Sequence, residues 1–111
     1  MSEDVPGEVA ELEQAADWRI KKLGADPADR QSAAAAELLQ KLASDVRGLI
    51  GSPVHTEYVA VLNWLGEFDV MDEFMQRAHE YRAAIGATAF PRSGEDYLRT
   101  LIDIAKDTAG V

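Results

Sequence analysis

Apolar residues recur along this chain at spacings of three and four, the period of an α-helix, and nowhere alternate long enough to make a strand. Val9, Leu12, Ala16, Ile20 and Leu23 form one stripe, which predicts a first helix from about Glu8 to Leu23 with Gly24 as its stop. Asp26-Pro27-Ala28-Asp29 reads as the next start, with Asp26 capping and Pro27 at the first helical position. The second stripe is Ala35, Leu38, Leu39, Leu42, Val46, Leu49 and Ile50. Its run from Ala33 to Ala36 favours helix and lets a neighbouring backbone come close. Gly51-Ser52-Pro53 closes this helix and opens a third, capped by Ser52. Ser93-Gly94-Glu95-Asp96 opens the last helix as a capping box. Tyr97, Leu98, Leu101, Ile104, Ala105 and Thr108 are its inward face, and Gly110 ends it.

The stretch from Tyr58 to Met75 breaks the pattern, because it is apolar around too much of its circumference. Tyr58, Val59, Val61, Leu62, Trp64, Leu65, Phe68, Val70, Met71, Phe74 and Met75 leave no wide polar face. A surface helix needs one apolar stripe and one wet face. The stretch is therefore a central helix, two helices broken near Gly66, or a helix with one face for the core and one for a partner. The break is the preferred reading, with Asp69, Asp72 and Glu73 marking a new start after a glycine stop. Phe68, Met71, Met75, Ala78, Arg82 and Ile85 then form the following stripe, flanked by Phe74 and Tyr81, and Gly86 to Arg92 is the longest loop. The fold expected is all-α, an irregular bundle of four to five helices joined by short capped turns. One domain spans residues 1–111, with residues 1–7 disordered.

Charge narrows the partners. The chain has 111 residues, 20 acidic and 11 basic, for a net charge of −9. Phosphate backbones and anionic membranes repel such a surface, so neither a nucleic acid nor a membrane is expected as a partner. The first seventeen residues carry six acids and no base, while Arg19, Lys21 and Lys22 follow. That order suits the dipole of one helix, acids first and bases last. No cysteine is present, which removes thiolate chemistry. Met1-Ser2-Glu3-Asp4-Val5 is acidic and lacks the apolar core of a signal peptide, so a cytoplasmic protein is expected.

Candidate chemistry is sparse. Ala78-His79-Glu80-Tyr81-Arg82-Ala83-Ala84-Ile85-Gly86 resembles the phospho-acceptor segment of histidine phosphotransfer domains, which are acidic helical bundles of similar size. That resemblance implies His79 as phospho-acceptor and Arg82 as the cation three residues on, with Ala83 where the family has glycine. Trp64-Leu65-Gly66 resembles the Trp-x-Gly turn of small secreted helical-hairpin proteins. Pro27 and Pro53 would interrupt that family's long first helix, and Tyr97 is followed four later by Leu101 instead of an acid. A bundle metal site needs two Glu-x-x-His pairs, and the nearest spacing here is Gln76 to His79, so no metal and no cofactor are expected. Ser52 and Ser93 are explained as caps, and the acids at residues 67–73 as a helix start. No enzyme is expected.

What remains is the apolar surplus. Large and adaptable side chains of this kind are enriched at interfaces and are equally at home in cores. The first expectation is a non-catalytic protein-interaction module of the adaptor, chaperone, antitoxin or inhibitor type. It would associate through Tyr58, Trp64, Phe68, Met71, Phe74 and Met75, inside an acidic rim of Glu67, Asp69, Asp72 and Glu73. The simplest partner is itself, as a homodimer, and a basic protein is the other. The alternatives are a phosphorelay component using His79, or a bundle that holds an apolar small molecule between its helices. Trp18 is a second surplus aromatic, off the stripe of the first helix.

Overall fold

A computed structural model describes residues 7–88 and 90–110. Five helices follow one another: α1 (Gly7–Ala25), α2 (Arg30–Gly48), α3 (Pro53–Phe68), α4 (Met71–Ala84) and α5 (Gly94–Ala109). The fold is an all-α bundle. Of the lead expected to be loose, residues 1–6 lie outside the described residues and Gly7 opens α1.

α5 is the centre. It packs against α2, α3 and α4, and its Tyr97, Leu98, Leu101 and Ala105 are fully buried. α1 lies along α2, with Val9, Leu12 and Ala16 facing Leu39, Leu42 and Val46 in the shared core. α4 runs antiparallel to α5: Arg77 at its middle reaches Asp107 and Thr108, while Tyr81 and Arg82 near its end meet Tyr97. α1 barely touches α4, which leaves a cleft between them.

Two expected starts hold. Ser52 Oγ accepts the His55 amide at 3.4 Å, and Ser93 Oγ accepts the Asp96 amide at 3.2 Å. The start of α2 differs. Asp26 makes a local turn, accepting the Ala28 amide at 3.2 Å, and Asp29 is the true cap. Asp29 takes both the Ser32 hydroxyl at 2.7 Å and the Ser32 amide at 3.0 Å. A serine three residues on offers Asp29 two donors, whereas the residue three beyond Asp26 is another acid. Those bonds, the hydroxyl first, hold the Asp29 carboxyl below its usual range.

Two of the expected glycine stops are read through, although Gly110 ends α5 and the chain does break between α3 and α4. Gly24 is helical, and so is Gly66; the chain reverses instead at Asp69, whose φ of 58° is left-handed. Asp69 therefore ends α3 and does not start α4, whose cap position is Val70 with no side-chain bond. Leu65 and Phe74 supply the reason. Both are buried, at 0 and 2% exposure, and helix through Gly66 is what places Leu65 there. Two stripe positions also turn out. Ile20 and Ile50 are exposed, and on α1 the buried row ends on Arg19.

The small residues of α2 do receive a neighbouring backbone. Gly86, with a φ of 86°, lies so close that a Cβ there would sit 2.4 Å from that of Ala35. Its left-handed φ and this contact both require glycine.

Candidate functional site

The last turn of α3 and the first turns of α4 form a corner. Leu65 and Phe74 pull its two arms inward, and Leu62, Trp64, Val70 and Met71 lie half-buried over the core. Phe68 and Met75 are left outside, 50 and 47% exposed. The Phe68 ring meets Trp64 edge to face, with centroids 5.0 Å apart. Met71 and Met75, four apart on α4, share a helix face.

Tyr58 and Phe74 leave the candidate interface. They are 5 and 2% exposed and belong to the core. Position 74 is three beyond Met71 and one before Met75, so a helix apolar on several sides turns one of them fully inward. Burial, then the charge of Glu8, pushes the Tyr58 phenol well above its usual range. The face that remains is Trp64, Phe68, Met71 and Met75.

Glu67, Asp69, Asp72 and Glu73, interleaved with these residues in the chain, are all exposed. None of the four makes an ion pair or side-chain hydrogen bond among the described residues. No Lys or Arg occurs between Arg47 and Arg77. Arg77 turns to α5, where it holds Asp107 and the Thr108 hydroxyl at 2.8 Å each. Lys106 reaches Glu57, at 3.7 Å.

The other end of α4 is built differently. Arg82 is 5% exposed, with Nη2 2.9 Å from Glu11 and Nη1 donating to the Tyr97 hydroxyl at 3.2 Å. Arg19, also buried, donates to the Ala83 carbonyl at 2.7 Å, near the negative end of the α4 dipole. Burial raises the Tyr97 phenol to about 12, against the opposing pull of Arg82.

His79 is exposed and lines the α1–α4 cleft, about 370 Å³, with Glu11, Gln14, Ala15, Trp18, Arg82 and Ala83. Arg82 is not the free cation that phosphotransfer would need. Its guanidinium is tied to Glu11 and Tyr97, and the Glu11 carboxylate in the same cleft repels a phosphoryl group. Trp18 carries Lys22 and Arg19 near its ring, at 4.8 and 5.2 Å from the centroid. Glu8 and His55 join the starts of α1 and α3 through a 2.6 Å contact, 47 residues apart in the chain, which no local pattern announces.

Among the described residues, no group of three or more His, Cys, Asp or Glu is placed to hold a metal ion. No described helix is long and apolar enough to cross a membrane. No protein-family model, curated protein or solved structure shows a significant match to this chain.

Proposed function

We propose that this chain is a non-catalytic protein-interaction module that docks another polypeptide across the α3–α4 corner. One observation carries the reading. Phe68 and Met75 are half exposed, Phe68 against half-buried Trp64 and Met75 one turn from half-buried Met71, in a stretch whose four acids have no partner among the described residues. Single exposed apolar residues are ordinary, whereas a continuous patch with a polar rim is the anatomy of an interface. Aromatic rings supply anchors, and methionines adapt to the shape that meets them. The phosphorelay reading has less support, because Arg82 is committed to the core.

The experiment is photo-crosslinking in the source cell, with the reactive residue at position 68 or 75. Positions 20 and 90 serve as controls, since Ile20 and Phe90 are comparably or more exposed, at 44 and 67%. One adduct of the same mass is expected from 68 and 75 and not from 20 or 90. The same adducts from all four positions, or none from the corner, would end the reading.

A further inference from the structure

We infer that the polypeptide docked at the α3–α4 corner is a cationic amphipathic segment of a different protein, and not a second copy of this chain. The inference rests on the corner being a docking face. Its own content is the charge of the occupant.

Many acids elsewhere in the fold have partners, while Asp17, Glu37, Glu80 and Asp103 stand singly on four different helices without one among the described residues. Glu8 meets His55, Glu11 meets Arg82, Asp45 meets Lys41, Glu95 meets Arg99 and Asp107 meets Arg77. The four acids at 67–73 have none among the described residues and are set apart by lying together, in a stretch of chain without Lys or Arg. The rim therefore presents four uncompensated negative charges around a small apolar face.

A twofold dimer is self-complementary, so each patch would meet its own image. Each copy would set its four carboxylates near the other's, between bodies that each carry −9. Like charges so placed oppose association and steer the copies apart. A segment with an apolar stripe flanked by Lys or Arg answers both parts of the corner at once. An amphipathic helix laying its apolar side chains over Phe68, Met71 and Met75 is the simplest such object. The apolar face is small, so binding should be weak to moderate and sensitive to salt.

The probe is a synthetic amphipathic helix of Leu and Lys, with a Leu and Glu helix of the same pattern as its counterpart. Binding is read by fluorescence anisotropy at low and high salt. Three variants separate the outcomes. The rim variant is Glu67→Gln with Asp69→Asn, which leaves the first turn of α4 untouched. The distant variant, Asp17→Asn with Glu37→Gln, removes the same charge from exposed acids on α1 and α2 that have no partner among the described residues. The face variant is Phe68→Ser with Met75→Ser.

The Lys helix should bind the parent chain, and the Glu helix should not. The rim variant should lose about tenfold in affinity while the distant variant changes less than about twofold. The face variant should weaken binding with its salt dependence unchanged. Equal losses from rim and distant variants would show only long-range attraction and overturn the inference, as would no binding of the Lys helix. Light scattering on the chain alone supplies the separate check. A dimer that the face variant abolishes would keep the corner as a docking face and overturn the cationic partner. A face variant that binds like the parent would overturn the corner itself.

Discussion

The two ends of α4 handle charge and apolar surface in opposite ways. At its end, Arg82 is buried, and every polar group it meets answers it: Glu11 from α1 and the Tyr97 hydroxyl from α5. At its start, Asp72 and Glu73 are exposed without partners among the described residues, and Met75 is exposed beside them. A charge is thus taken inside where three helices converge on it. Apolar side chains stay outside where only two arms of a corner meet. Residue type alone does not decide burial at the two ends of α4. There, the number of helices that converge on a position separates the buried Arg82 from the exposed Met75.

The sharpest way to break this comparison is to place a charge on each side of the corner. Phe74→Asp should abolish the fold, because it costs the packing of a buried ring and buries an unpaired carboxylate. Together these amount to about 4 kcal/mol or more, the scale of a small domain's whole stability. Phe68→Asp and Met75→Asp should each change stability by less than about 0.5 kcal/mol. Urea unfolding followed by circular dichroism distinguishes the three. Comparable losses at 68 and 74 would mean that both rings are core and that the corner presents no free face.

The next effect tests the other end of α4. Arg82→Ala should cost about 3 kcal/mol, since it leaves Glu11 without its cation and Tyr97 without its donor. Glu11 is a third exposed and can turn to water, which keeps the loss from growing further. Replacing Arg82 and Glu11 together by Met should recover much of it, because neither charge is then stranded. Two single losses that simply add in the double replacement would show that the pair is not coupled in the folded state.

Two of the caps and the helical period were legible in the sequence, because both act within a few residues. Ser52 and Ser93 reach amides three positions on, and the stripes of α2 and α5 follow from spacing alone. The buried arginines were not legible. Arg19 finds its carbonyl 64 residues away, and Arg82 meets Glu11 from the far end of the chain. The corner was half legible. Its surplus of apolar side chains was plain, but a segment apolar on several sides does not say which side turns in. The packing of α3 and α4 on α5 made that choice, sending Tyr58 and Phe74 inward and leaving Phe68 and Met75 out.

The smallest expected effect sits at the break between α3 and α4, which falls near Gly66 as expected but at Asp69. Gly66 was the natural place for the chain to stop, yet α3 continues through it for two more residues. Its position is exposed, and a Cβ there would meet nothing within 4 Å. An alanine would therefore keep the helical backbone, add no clash and remove freedom from the unfolded chain. Gly66→Ala should stabilise the protein by about 0.8 kcal/mol, seen as a higher urea midpoint at unchanged slope. A destabilisation would place the hinge at Gly66 after all. The reversal at Asp69 would then be wrong, and with it the arrangement of Phe68 and Met75 on one exposed face. The outcome with the smallest energy is thus the one on which the geometry of the corner most directly depends.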